Sequence, residues 1–134
     1  MDKTYSIKTL RESLVLTDSY VAGTTFGPQG INTNRDPVSN NQLMLYIDFT
    51  KGSLTSAELK VEFSDDGTNW YQETSSAVAS GESTDSLLNH KFTASGSYRL
   101  ALPLCDRHVK VSVKGTGTMT GSLMAVKAIV AYKP

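Results

Sequence analysis

The clearest pattern of hydrophobic and polar positions lies between residues 42 and 72, where two alternating segments are followed by a turn signal. In the first segment, four apolar residues alternate with three residues expected to face outward. The apolar residues are Leu43, Leu45, Ile47 and Phe49, and the others are Met44, Tyr46 and Asp48. The second sets Leu59, Val61 and Phe63 against Glu58, Lys60 and Glu62. Because successive side chains of a strand point to opposite faces, this period of two predicts two half-buried strands.

A turn is predicted directly after the second strand, at Asp65-Asp66-Gly67. Gly67 supplies a positive φ angle without a steric cost, and the Asp65 carboxylate is expected to accept backbone N–H bonds. Trp70 follows the turn. We expect its large side chain to be buried at the centre of the core, with the indole N–H held by a hydrogen-bond partner.

Further strands are predicted in the second half of the chain. Residues 90–94 and 97–102 flank a Ser95-Gly96 turn, and Val109, Val111 and Val113 alternate with polar residues. The last predicted strand, residues 122–132, is apolar on both faces apart from Lys127, which predicts that both of its faces are covered.

The remaining segments carry weaker patterns. Residues 1–17 fit either an extended arm over 1–11 followed by a strand at 12–17, or one apolar helical face. We favour the arm and strand. Residues 18–41 and 73–89 are rich in turn-forming or polar residues and are interpreted as loops.

Short strands separated by turns predict an all-β fold, an antiparallel β-sandwich of jelly-roll type. An immunoglobulin-like sandwich is the alternative; the chain lacks paired cysteines, as many such domains do. The 134 residues are the length of one ordinary domain, so we expect a single domain over residues 1–134.

Composition excludes several classes of protein. The chain has 13 basic and 13 acidic residues, so no general attraction to nucleic acid is expected. Cys105 is the only cysteine, which excludes an intramolecular disulfide and a zinc site built from cysteines. No segment approaches the roughly 20 apolar residues that span a bilayer, and no signal peptide is evident. We therefore expect synthesis in the cytoplasm and no membrane partner.

Candidate catalytic and metal-binding residues are few. Cys105, His108 and His90 show neither zinc-ligand spacing nor a nucleophile with a base, and Asp65 and Asp66 lack the spacing of a calcium loop. We expect these residues to be structural, with no cofactor, no metal and no enzymatic activity. The aromatic residues could form a sugar-stacking platform, although packing is the favoured interpretation: Tyr20, Phe26, Tyr46, Tyr71 and Tyr132.

Two stretches resemble small β-sandwich proteins encoded in the structural-gene regions of tailed bacteriophages. They are Val61 to Trp70, with its strand, Asp-Asp-Gly turn and tryptophan, and Leu45 to Thr50. The resemblance covers about a quarter of the chain and implies a virion component, such as a capsid decoration (cement) protein or a head–tail or tail accessory subunit. It implies contacts with major capsid or tail proteins, no catalytic residues, and structural roles for Asp65, Gly67 and Trp70.

Two segments carry apolar residues that an isolated sandwich does not require. They are the predicted arm, with Tyr5, Ile7 and Leu10, and the 18–41 loop, with Phe26 and Ile31. Ordering such segments costs conformational entropy, so we expect both to make intersubunit contacts in a homo-oligomer, with a trimer favoured. A carbohydrate- or receptor-binding module is the alternative function. A flat apolar patch would favour assembly, whereas a concave groove lined by tyrosines would favour sugar binding.

Overall fold

The structure is a computed structural model that describes residues 4–25, 42–103 and 108–132. These residues form eleven strands and no helix long and apolar enough to cross a bilayer. The strands are β1 (Thr4–Leu14), β2 (Val21–Ala22), β3 (Gln42–Thr50), β4 (Leu54–Ser64), β5 (Tyr71–Gln72), β6 (Thr74–Ala79), β7 (Glu82–Leu87), β8 (His90–Phe92), β9 (Gly96–Pro103), β10 (His108–Gly117) and β11 (Leu123–Tyr132).

The strands form two main sheets. Sheet A has the order β1-β11-β3-β9, and sheet B has the order β2-β10-β4-β5, with β8 also paired to β4. Strands β6 and β7 form a separate two-stranded ribbon, which we call the ribbon. All pairings between these strands are antiparallel. The predicted all-β antiparallel fold is therefore confirmed.

The order of pairing identifies the type of sandwich. If β5 and β8 are counted together as one strand position, the first position pairs with the eighth, the second with the seventh, the third with the sixth and the fourth with the fifth. A long antiparallel ribbon of chain wrapped around two sheets gives this pairing, which is the jelly-roll arrangement. The structure thus agrees with the jelly roll and not with the immunoglobulin-like alternative.

Both sheets contribute to one hydrophobic core. The alternating residues predicted to face inward do so: Leu43, Leu45, Ile47, Phe49, Leu59 and Val61 are buried, and Phe63 packs against the core half-buried. Phe92 joins the two sheets, since its ring centroid lies 6.1 Å from that of Phe49 and 4.7 Å from that of Tyr98. Offset and edge-on ring contacts of this kind add to the stabilisation by buried area.

The predicted N-terminal arm is an intrinsic strand of sheet A. β1 pairs with β11 from Thr4 opposite Tyr132 to Leu14 opposite Met124, with two shifts of register after Thr9. The strand predicted at 12–17 is therefore wrong: β1 begins earlier and ends at Leu14. The bulges explain the error, because an extra residue in one strand interrupts the alternation from which the strand was inferred.

The segment predicted as a polar loop at 73–89 contains the ribbon, so that prediction is wrong as well. Its two strands pair in register from Thr74 opposite Leu87 to Ala79 opposite Glu82. Ser80 and Gly81 join them with φ angles of 53° and 80°, the two successive positive values of a tight hairpin turn. All twelve strand residues are exposed. The ribbon therefore projects from the sandwich without an apolar face in the core.

Candidate interaction surfaces

The outer face of sheet B carries charged residues, most of which pair with an opposite charge on the same face. Lys110 lies opposite Glu62, and Lys114 lies opposite Glu58, in the antiparallel register of β10 and β4. The Lys114 Nζ atom is 3.5 Å from Glu58 Oε2, and Lys60 Nζ is 3.8 Å from Glu62 Oε1. Charges neutralised by neighbours in the same sheet leave this face without a strong field for an external charged ligand.

Tyr20 is built into this charged face. Its ring centroid lies 4.6 Å from Lys60 Nζ and 5.0 Å from Lys114 Nζ, while its hydroxyl lies 3.1 Å from Glu58 Oε2 and 3.0 Å from Asn89 Oδ1. Burial, followed by the hydrogen bond to Glu58, raises the pKa of Tyr20 to about 12. Because lysines contact the ring and carboxylate and amide oxygens hold the hydroxyl, Tyr20 is a structural member of the sheet.

Trp70 lies beside the outer face of sheet B, half-buried and outside the buried core. Its ring meets the His108 ring edge-on, with centroids 6.4 Å apart, and Lys110 Nζ lies 4.3 Å from its centroid. The prediction that Trp70 fills the core is therefore wrong. The large apolar ring instead uses its face to bind a cation, an interaction worth about 0.5–1 kcal/mol at an exposed site.

Replacing Trp70 by alanine is expected to lower the free energy of unfolding by about 1–2 kcal/mol, less than a core aromatic would cost. Circular dichroism during urea denaturation would measure the change, because the variant has no tryptophan left to fluoresce. Lys110→Gln, which removes the cation and keeps the ring, should cost less than Trp70→Ala. A loss of more than about 3 kcal/mol for Trp70→Ala would restore the core role.

The turn after β4 is organised by Asp66 rather than by Asp65. Asp66 Oδ1 accepts the backbone N–H groups of Thr68 and Asn69, both at 2.8 Å, and Oδ2 accepts Asn69 Nδ2 at 2.8 Å. Ser64 Oγ donates to Asp66 Oδ1 at 3.0 Å and accepts the N–H of Gly67 at 2.8 Å. Gly67 has a φ angle of 78°, as predicted. The bonded set accounts for the aspartate and glycine in this turn without a ligand.

The hydrogen bonds from Asn69 and Thr68, then from Ser64, lower the pKa of Asp66 well below its ordinary value of 3.8. As the pH falls, the Asp66 carboxylate is therefore protonated in the unfolded chain before it is protonated in the folded one. Its contribution to stability is complete above the pKa of the unfolded chain and is lost as the pH falls from there through the lower pKa of the folded chain. We expect Asp66→Asn to make stability less dependent on pH below about 4. Urea midpoints from neutral to acid pH would measure this, with Asp65→Asn as the control. Parallel curves for wild type and Asp66→Asn would contradict the assignment.

The exposed tyrosines do not converge on one platform. Tyr46 is 41% exposed on the outer face of sheet A, whereas Tyr71 is 71% exposed on β5 of sheet B. Phe26 lies outside the described residues, as does the side chain of Tyr132. Sugar binding on stacked rings needs neighbouring ring faces. The described aromatic residues therefore provide no shared sugar-stacking surface.

The outer face of sheet A carries an apolar row that crosses all four strands. Ile7, Ile129, Met44 and Ala101 lie side by side on β1, β11, β3 and β9, and we call these four residues the apolar row. Ile7 is 67% exposed, Ala101 is exposed, and the other two are half-buried. Sequence reasoning singled out Ile7 and missed its three neighbours. The signal for them was the last strand, whose residues are apolar on both faces.

The other predicted interface residues differ in their positions. Leu10 is only 2% exposed and belongs to the chain's own core, so its predicted contact with a neighbouring subunit is wrong. Tyr5 lies in β1 opposite Ala131. Phe26 and Ile31 lie outside the described residues.

The residues considered for chemistry remain apart or lie outside the described residues. His90 Nε2 lies 3.0 Å from Glu73 Oε1, at the base of the ribbon, while His108 contacts Trp70. Cys105 lies outside the described residues. Within the part of the chain that is described, no three His, Cys, Asp or Glu residues are grouped closely enough to hold a metal ion.

Comparison with known proteins gives similar structures and no family. No family model matches the sequence, and no curated protein matches it. One similar structure is the SPBc2 prophage-derived protein YomS, with a TM-score of 0.43 and 19% identity over 98% of this chain and 96% of that one. Another comes from Bacillus endospore appendages, described as a novel family of disulfide-linked pili, with a TM-score of 0.45 and 9% identity over 98% and 88% of the two chains.

Proposed function

We propose that this chain is a non-enzymatic structural subunit of a tailed-phage particle, a capsid decoration (cement) or accessory protein made in the host cytoplasm. The observation that carries the proposal is the apolar row, which exposes Ile7 and Ala101 beside the half-buried Met44 and Ile129. A contiguous apolar strip on an exposed sheet face is typical of a protein–protein interface. The resemblance of residues 61–70 to phage sandwich proteins supports the choice of particle.

The ribbon is a second feature that fits an assembled subunit. Its twelve strand residues are exposed, and Val78 and Leu87 on one of its faces are 75% and 64% exposed. A two-stranded hairpin alone is marginally stable in water, so contact with a neighbour would stabilise it. In a particle, each occupied site would favour the assembled form by mass action, which is how a decoration protein strengthens a shell.

The test is to purify particles from a host that carries the gene and to compare them with particles from a deletion strain. We expect mass spectrometry to find the chain in the particles in stoichiometric amounts. Particles without it should release DNA at a lower temperature, with normal release after the purified protein is added back. Absence of the chain from purified particles would contradict the proposal.

The purified protein and the particle analysis also distinguish the structural role from the alternative function, carbohydrate binding. If the chain is instead a carbohydrate-binding module, the purified protein should bind defined glycans on an array, and Tyr46→Ala or Tyr71→Ala should reduce the signal. Binding of that kind, together with absence from particles, would replace the structural role.

A further inference from the structure

We infer that the outer face of sheet A is the surface through which two copies of this chain associate, with the apolar row as its apolar part. The inference rests on the proposed function, in which the chain works by contact with other proteins. It names a second copy of the same chain as the partner. Its basis is the contrast between the outer faces of the two sheets, together with the area and charge of the sheet A face.

The outer faces of the two sheets differ in the chemistry of their residues. On sheet B, the outward residues of the central strands include Glu58, Glu62, Lys110 and Lys114, whose charges are matched across the pairing. On sheet A, one row that crosses all four strands is apolar. The outer face of a solvated antiparallel sheet is normally polar, so an apolar row that crosses all four strands of an outer face departs from that rule. Burial against another surface explains the departure.

The next row of sheet A supplies the polar margin of such a surface. Thr9, Lys127, Tyr46 and Arg99 lie side by side there, and Asp48 follows Tyr46 on β3, where its carboxylate accepts the Ser97 hydroxyl at 2.7 Å. Apolar residues with polar residues beside them are usual in an interface. The margin carries both signs of charge, so a second copy brings groups that can pair with it.

The size of the face suits a second copy. Four strands about 4.8 Å apart and about 30 Å long give a face of about 600 Å². Two such faces together bury about 1,200 Å², the lower end of the range for stable protein–protein interfaces. The formal net charge of the chain is zero, so two copies do not repel each other at long range.

The experiment is sedimentation velocity of the purified full chain over a concentration series, with wild type compared with two matched pairs of variants. Ile7→Lys and Tyr46→Glu place a charge on the sheet A face. Val21→Lys and Tyr71→Glu place comparable charges at exposed positions of sheet B, on β2 and β5. Circular dichroism melts establish that each variant folds.

We expect wild type to pass from the 14.5 kDa monomer to a dimer as concentration rises. Ile7→Lys and Tyr46→Glu should raise the dimer dissociation constant by about tenfold or more, because each would bury a charge, while the two controls stay within about twofold. A wild-type chain that is monomeric throughout, or one weakened equally by face and control variants, would overturn the inference. Binding to purified particles, measured separately, decides the proposed function: particle binding by a protein that stays monomeric would leave that function standing and assign the face to another virion protein.

Discussion

Gly23→Ala is expected to lower the free energy of unfolding by about 3 kcal/mol or more. Gly23 lies where the open edges of the two sheets approach each other: its N–H donates to the Val111 carbonyl of sheet B at 2.9 Å, and the next residue, Thr24, donates to the Leu10 carbonyl of sheet A at 2.7 Å. A Cβ atom on Gly23 would overlap the Leu10 carbonyl oxygen. Backbone cannot move aside as a flexible side chain can, so both hydrogen bonds would be strained.

Gly96→Ala is the matched control for that change. The atoms nearest to its Cβ would be those of the Tyr98 side chain, at 3.4 Å, and Gly96 does not have a positive φ angle. We expect its effect to stay within about 0.5 kcal/mol of wild type, as for most surface substitutions. Chemical denaturation followed by circular dichroism would measure both variants. Equal stability of Gly23→Ala and wild type would show that the two sheet edges are further apart than described.

Leu59→Ala is expected to cost about 2–5 kcal/mol, the range for truncating a buried leucine. Leu59 is 0% exposed in the middle of β4, opposite Val113 on one side and His90 on the other. Strands pair with it from both sides, so the backbone cannot collapse into the space that the lost methyl groups leave, and the cavity adds to the lost transfer free energy.

Leu87→Ala makes the same chemical change on the ribbon, where the leucine is 64% exposed. Its effect should lie within about 0.5 kcal/mol. The difference between the two leucines measures burial alone, since the atoms removed are identical. If the Leu87 variant were as unstable as the Leu59 variant, the ribbon would have to pack on the sandwich.

The parts of the fold that could be predicted are those in which alternation and burial coincide. Leu43 to Phe49 and Leu59 to Val61 face the core from central strands, so their period of two is undisturbed. Short strands separated by turn signals predicted the all-β sandwich, and its pairing order became known only from the structure. The bulges of β1 hid its inward residue Leu10, because a shift of one residue reverses which positions face the core.

The ribbon and Trp70 escaped prediction for a different physical reason. The ribbon strands bury neither face, so their sequence has no apolar period to detect. Trp70 was assigned to the core from its size, but Lys110 and His108 give its ring a partly exposed position that size does not reveal. Of the apolar row, sequence reasoning identified Ile7 but not its three neighbours. The four residues come from four strands, and the order of those strands in the sheet cannot be inferred from the sequence.

The pairing order of the strands also determines which contacts can form early in folding and which must form late. Phe63 of β4 and its partner Tyr71 of β5 are close in sequence, whereas Ile7 and its partner Ile129 are brought together from opposite ends of the described chain. Closing long loops costs more entropy than closing short ones, and folds dominated by distant pairings form slowly. During synthesis β1 emerges long before β11, so sheet A stays incomplete until the last strand has left the ribosome. Leu10 on β1, which is buried in the folded chain, is exposed in the nascent chain between the synthesis of β1 and that of β11. Aggregation therefore competes with folding during this time.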